Sequence, residues 1–534
     1  MPTAAEYEYL IRFSEPDSPS TWNYPGSTIG RTTSGSDTPS HLVVPPSLTA
    51  PPTFQISIFD GIDPTLNPRG TIGAITLRDP TGKLDGSGAL INLPGYVFDG
   101  GTLELRRGTP GALYSGFTTV GTFTTAGLLY DHDTKEIRLQ TLGRILEQSA
   151  LHDQRYTGAG SANGDANLTG QLKPYCIGQV FNVPATLINA SNLIYQISCT
   201  AIQSIDAVRD GGSAVTASGT DRANYAAMAG AAPAAGQYDT CLAEGLIRLG
   251  SSPSRQVTVD AKGDKTGGTY FVKRGDIAKQ IVTRAGTVLT SGQVNASALS
   301  ALNTAKAETC GFFWDKDITK AAALSEVMEG CLGYWFVNLS GELVLGYLSA
   351  PGSSPVATYA FGTQTGLPSM KEVVSVPRWK TSISYQRNYT PQDRSQLAGA
   401  VTDSNAQLYA RDAQWKYEEN TVVHTKRPTA YEKRTYSGLW SGSDAQTEAT
   451  AQNGLLDAGH GGTLCERWRI PIYEDPFTLA GYLGQRIAIS GYGRHGWASP
   501  RTFILIGVEW GSNLIPEGVY ALSWAQNIWA DTLA

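Results

Sequence analysis

The residues of this sequence whose types and spacing could do chemistry fall into a few short groups. Asp79 and Asp85 bracket Asp79-Pro-Thr-Gly-Lys-Leu-Asp85, and two carboxylates several ångströms apart are what glycoside hydrolysis uses. Asp-Pro followed by Thr-Gly is equally the chemistry of a tight turn, and that is our reading. Asp131, Asp133 and Glu136 could hold calcium, but they lack the spacing of an EF-hand loop and read as a solvated turn. Gly263-Asp-Lys-Thr-Gly-Gly268 resembles a phosphate loop in composition only and reads as a hairpin turn. Gly158, Gly160 and Gly164 are spaced one residue too long for a dinucleotide fingerprint and read as a linker.

The six histidines (His41, His132, His152, His424, His460, His495) are isolated, so a triad would require distant residues to converge. The six cysteines (Cys176, Cys199, Cys241, Cys310, Cys331, Cys465) contain no CxxC pair. Reduced, buried thiols are expected, and only convergence in space could build a zinc or iron-sulfur site. There is no GxSxG elbow, HExxH or Walker A sequence. The expectation is a chain with no catalytic, cofactor or metal residues, not an enzyme.

The elements that would position such residues are mostly strands. At 534 residues, three or four compact units are expected. Charged residues are only 16% against 41% hydrophobic, so the surface is largely Ser, Thr, Asn, Gln and Gly, which suits assembly. A net charge of −6 gives no footprint for binding nucleic acid. The start has no basic n-region before an apolar run, and no apolar stretch approaches a membrane span. Folding in cytoplasm is expected.

Residues 16–53, crowded with Ser, Thr, Pro and Gly, read as an extended arm that could lie on a neighbouring subunit. Phe54, Ile56 and Ile58, then Leu103 and Leu105, alternate with polar residues as half-buried strands. Phe117–Thr125 and Ile137–Leu142 flank the 131–136 turn as a hairpin, with a short helix after Gly143. Strands recur at Tyr175–Phe181, Leu187–Ile197, Ile205–Gly212 and Gln256–Asp260. Asp276 can cap a helix carrying Ile277, Ile281 and Ala285, and Asp317 another carrying Ile318, Ala322, Met328 and Cys331. Gly333–Gly346 is a hairpin turning at Asn338 and Gly341. Further strands are expected at Thr381–Tyr385, Ile487–Ser490, Thr502–Val508 and Val519–Trp524, with a helix from Asp444 to Leu456. The expected fold is mainly β with an α+β insert: a β-barrel domain over 1–157, a β-rich inserted domain over 158–262, an α+β inserted domain over 263–370 and a second β-barrel over 371–534.

Three stretches carry a resemblance. They are Gly73–Asp85 with Tyr96-Val-Phe-Asp-Gly100 and Leu103-Glu-Leu-Arg-Arg-Gly108; Leu172-Lys-Pro-Tyr-Cys-Ile-Gly-Gln-Val-Phe-Asn-Val-Pro-Ala-Thr-Leu-Ile188 with Leu193–Gln196 and Val208–Gly212; and Leu483–Ile489 with Phe503–Val508 and Tyr520–Trp524. With them the sequence resembles the hub or baseplate proteins of siphophage tail tips, also found in prophages and gene transfer agents. The resemblance implies two related antiparallel β-barrel hub domains with inserted domains between them. It implies a homotrimer whose six barrels match the sixfold tail tube and adapt it to a threefold tip around the DNA-ejection channel. The implied partners are the distal tail ring and tail tube, a central fibre or spike, and the tape-measure protein. Phage DNA would pass without specific binding, since an acidic wall repels its backbone. Members with an iron-sulfur cluster have grouped cysteines, which this sequence lacks. The alternatives are a receptor- or carbohydrate-binding tail protein, which requires an exposed aromatic platform, and a tail-associated cell-wall hydrolase. A distal tail protein is the nearest structural rival.

Overall fold

The computed structural model describes residues 7–15, 18–37, 40–58, 69–82, 84, 93–95, 98–140, 142–284, 289–349, 354–373, 378–456, 463–494, 500–510 and 516–526. The chain is mainly β, with 40% strand against 22% helix, as expected. The first curled sheet is 6-stranded, in the order Ser18–Ser27, Glu8–Glu15, Thr102–Gly108, Thr118–Tyr130, Thr134–Gln140, Ile75–Arg78. Alternation decides which side chains line it: Tyr9, Ile11, Phe13, Leu103 and Leu105 point into one core, while Leu10 packs outside against Val44, Tyr114 and Phe117.

The two edges of this sheet are joined by the segment expected to be an arm. Ser27 N donates to Pro45 O (2.9 Å) and Leu48 N to Ser27 O (3.1 Å), while Arg78 N donates to Ser47 O (2.7 Å) and Thr49 N to Thr76 O (3.2 Å). Residues 45–49 therefore bridge the two edges and make the sheet a nearly closed barrel. Much of the 16–53 arm is thus barrel wall, beginning with the strand Ser18–Ser27. Its proline-rich composition misled because Pro45 enters the ladder as an acceptor, where no N–H is needed.

The second curled sheet runs Ala357–Ala360, Arg486–Ser490, Arg501–Trp510, Pro516–Gln526, Thr463–Ile470, Ser369–Val373. Between these ends of the chain lies a 9-stranded sheet built from 175 to 314, which runs through residues 262 and 263 without interruption. Its strand Tyr175–Pro184 pairs first with Gly311–Trp314 and then with Val257–Asp264. Gly178 sits at that changeover with φ +70°, where a Cβ would lie 2.0 Å from the Cys310 carbonyl oxygen, so only glycine fits.

Helices Arg274–Thr283, Ala296–Ala305 and Lys320–Glu329 pack on one another, with the second and third also against the strands Leu343–Tyr347 and Gly333–Val337. Two of the expected caps differ. Thr319, not Asp317, caps the third helix by accepting from Ala322 N at 3.2 Å, and Asp276 lies inside the first turn of a helix that starts at Arg274. The Gly263–Gly268 turn leads into a helix and does not close a hairpin.

The hairpin Gly333–Val337 and Leu343–Tyr347 forms as expected, with Gly341 at φ +79° in its turn. Its alternation has two apolar readings at once. Tyr334, Phe336 and Leu339 enter the barrel core, and Trp335, Val337, Leu343 and Leu345 enter the core under the helices. A small sheet, Gln414–Glu419, Arg378–Tyr385, Tyr431–Thr435, carries the helix Gly442–Leu456 on one face.

Candidate functional site: the joint between the end sheets

The joint is built from the sequence Phe54-Gln-Ile-Ser57, whose alternation makes a strand and whose partner decides its meaning. In the strand Arg501–Trp510 the first half pairs with Arg486–Ser490, and the second half accepts Phe54–Ser57, with Gly507 opposite Ser57 and Trp510 opposite Phe54. Phe54–Ser57 pairs on its other side with Arg69–Ile72. Only Gly73 and Ala74 then separate Arg69–Ile72, in the second sheet, from Ile75–Arg78, in the first barrel. At that corner a Cβ on Gly73 would lie 2.4 Å from Thr53 Oγ1. One hairpin from the N-terminal third thus belongs to the sheet made by the C-terminal third, and Ile11, Phe13 and Leu105 share a single core with Ile487, Phe503 and Leu505.

Charge and rings reinforce the same place. Asp475 caps the helix Pro476–Gly481 by accepting from Thr478 N (2.8 Å), with Pro at its start. Its other oxygen pairs with Arg107 of the first barrel, both side chains being largely buried at 18% and 7% exposure. Burial works against the Arg107 charge, and the bond and charge of Asp475 more than offset it, so its pKa is raised. Phe477, two residues on, touches Tyr9 (6.2 Å between ring centres) and Phe54 (5.5 Å). Burial, with Asp475 adding, pushes the Tyr9 hydroxyl up to about 12.

A buried polar cluster gathers at the end of the strand Val257–Asp264. Asp264 accepts from Tyr175 Oη (2.8 Å), Gln280 Nε2 (3.2 Å) and Thr266 N (2.8 Å), with Arg284 at 3.7 Å. Arg284 lies 4.0 Å above the Tyr175 ring and reaches Cys199 Sγ at 3.1 Å. Burial raises the Tyr175 and Cys199 pKa values, so neither group is poised as a nucleophile. The Asp264 carboxylate fills the turn that resembled a phosphate loop, which makes that turn repel an anion.

The other sequence candidates lie apart. Asp79 is buried, accepts from Leu84 N (2.8 Å) and faces Lys135 at 3.9 Å, whereas Asp85 lies outside the described residues. Asp131 Oδ1 accepts from Asp133 N and Thr134 N (3.0 and 2.7 Å), a closed, solvated turn. Gly158, Gly160 and Gly164 all have positive φ in a hydrogen-bonded loop.

Of the histidines, His41 and His132 lie in surface turns and His424 stacks on Trp379 at 4.2 Å. His152 is buried, and His460 and His495 lie outside the described residues. Cys176, Cys199, Cys241, Cys310 and Cys331 are free thiols, and the Cys465 side chain is outside the described set. Among the described residues no three His, Cys, Asp or Glu gather to hold a metal. Among the described residues no helix is long and apolar enough to cross a membrane. Sequence reading missed Asp475 and Phe477, although Asp475-Pro476 is a legible helix start.

Comparison with known proteins finds no family model and no curated protein that matches the chain. Solved structures similar to it include the following. One is a tail protein from Neisseria meningitidis MC58, at 10% identity and a TM-score of 0.38 over 98% of both chains. Another is the 43 kDa tail protein of prophage MuSo2 from Shewanella oneidensis, at 8% identity and a TM-score of 0.38 over 98% of this chain and 99% of that one. A chain from the virion of a native gene transfer agent particle is 11% identical, with a TM-score of 0.38 over 73% of this chain and 93% of that one.

Proposed function

We propose that this chain is the structural hub at the distal end of a bacteriophage tail, a trimeric ring of paired barrels around the DNA-ejection channel. One observation carries the reading. The two curled sheets, from opposite ends of the sequence, share a strand hairpin and a core, so a subunit presents them as one rigid pair. Three such pairs give six sheet units under threefold symmetry, which is what a protein must offer if it joins a sixfold tube to a threefold tip. The resemblance in Gly73–Asp85, Leu172–Ile188 and Phe503–Val508 supports the same assignment.

In this reading the two curled sheets, drawn from residues 8–140 with 357–373 and 463–526, build the ring, and the 9-stranded sheet, its helices and the small sheet between them are the inserted part. The ring meets the distal tail ring and tube on one side and a fibre or spike with the tape-measure protein on the other. It sits in the virion, has no chemistry of its own and lets DNA pass without specific binding. Native mass spectrometry of the isolated chain and copy counting in intact tails test this. A species of three times 56.9 kDa, and three copies per tail, is expected. Six copies per tail would sink the hub in favour of a distal ring protein. Turnover of peptidoglycan abolished by one Asp or His substitution would replace it with a hydrolase.

A further inference from the structure

The small sheet Gln414–Glu419, Arg378–Tyr385, Tyr431–Thr435 has two unlike faces. Thr381 and Ile383 turn toward the helix Gly442–Leu456 and the core beneath it, with Thr381 bonded to Asn453 at 3.0 Å. On the opposite face the central strand places two small residues, Ser382 and Ser384, and the flanking strands place large ones. The register opposes Ser382 to Tyr417 and Arg434, and Ser384 to Trp415. Because the central side chains are short, those beside them reach across. Trp415 meets Tyr436 edge to face at 5.1 Å, and Lys380 lies 3.9 Å from the centre of the Tyr417 ring. The layer remains open outward, with Tyr417 51% and Tyr436 45% exposed.

The charged groups on this face, three cations and four carboxylates, are each engaged within it. Lys380 pairs with Glu419 (3.7 Å) and Arg434 with Glu432 (3.0 Å), while Arg387 pairs with Glu326 and the Tyr436 hydroxyl donates to Asp412. Glu432 also accepts from Ser382 Oγ (2.7 Å). A polyanion would find cations already engaged, and a polycation would find carboxylates already engaged. What the face offers is ring surface beside hydrogen-bonding groups of both kinds, with Trp415 and Tyr417 about 7 Å apart along their strand. We infer that this face is a docking platform for a neutral, polyhydroxylated partner, a surface oligosaccharide. Neutral sugars present apolar C–H faces to rings and hydroxyls that both donate and accept, and a neutral ligand matches a face whose ion pairs are closed.

The inference does not depend on the ring, because the platform shares no residue with the barrel joint. The test uses the full chain and a panel of neutral oligosaccharides of glucose, galactose, mannose and N-acetylglucosamine, followed by calorimetry and tryptophan fluorescence. At least one should bind, with Tyr417→Ala and Tyr436→Ala each weakening it about tenfold and Trp415→Ala abolishing the fluorescence change. Tyr130→Ala, an exposed ring on the first barrel, should bind as the parent does. The exposed Tyr417 and Tyr436 variants carry the test should Trp415→Ala misfold. The inference is overturned if nothing in the panel binds, if binding survives both tyrosine variants, or if polygalacturonate binds more tightly. It is also overturned if those variants change the copy number of the assembly instead, marking the face as a contact between subunits. None of these results touches the hub reading unless the copy number changes.

Discussion

The barrel joint and the Asp264 cluster both bury charge, and they do it in opposite ways. At the joint a single ion pair, Arg107 with Asp475, sits beside Tyr9, Phe54 and Phe477 at the edge of a continuous apolar core. Beside the 9-stranded sheet, one carboxylate gathers Tyr175, Thr266, Gln280 and Arg284 into a network. The joint draws its strength from area and tolerates few vacancies. The cluster draws its order from satisfied polar groups, and nearby sits His152, 4% exposed, with no hydrogen-bond partner found for either ring nitrogen. The difference teaches that an apolar joint should respond to truncation and a polar network to proton concentration.

The largest effect should come from Phe477→Ala, which empties the ring contact between the two sheets. We expect a loss of about 3–5 kcal/mol in denaturant unfolding, and an unchanged value would show that the joint does not hold the sheets together. The response to acid comes next. Burial, with Arg284 adding, pushes His152 down to about 4 from 6.5, so the unfolded chain takes up this proton first. Its contribution is intact above about pH 6.5 and is lost as pH falls toward 4, by about 3 kcal/mol in all. His152→Phe should flatten that slope while leaving stability at pH 7 nearly unchanged, and a slope that persists would assign it elsewhere.

Asp475→Asn sharpens the contrast, because asparagine keeps the helix cap while removing the charge opposite Arg107. A loss of about 1–3 kcal/mol is expected, with the Tyr9 hydroxyl titrating lower by absorbance. The smallest effect should be Asp317→Asn. Its partner Arg155 is 44% exposed and Asp317 is 66% exposed, so thermal unfolding should shift by no more than about 0.5 kcal/mol.

Local signals were the legible part of this fold. The alternation at Phe54 and Leu103, the Gly333–Gly346 hairpin and the helix through Asp444 are properties of a dozen residues each, and they fold as read. What composition could not convey is which strand a strand would find. Phe54–Ser57 pairs with Gly507–Trp510, and nothing local distinguishes that partner from any other. The same limit hid the role of residues 45–49, whose hydrogen bonds run to two strands on either side. Thr319 displaced Asp317 as a cap because it directly precedes the helix, which a spacing argument resolves only to a few residues. Of the joint, the Asp475-Pro476 start was readable, but its partner Arg107 was not. The alternation of Trp415 and Tyr417 was readable too, yet their exposure depends on no element covering that face.

The two-residue corner at Gly73 and Ala74 sets an order of events during synthesis. The hairpin that ends there emerges early from the ribosome, but its remaining edge stays open until residues 507–510 are made. At about 5–20 residues per second that wait is roughly 20–90 seconds. Until then the edge of Phe54–Ser57 is exposed to any passing strand, and the subunit lacks its paired shape. The chain therefore carries its own delay: a nascent subunit cannot present both sheets as one body before its last strands are in hand.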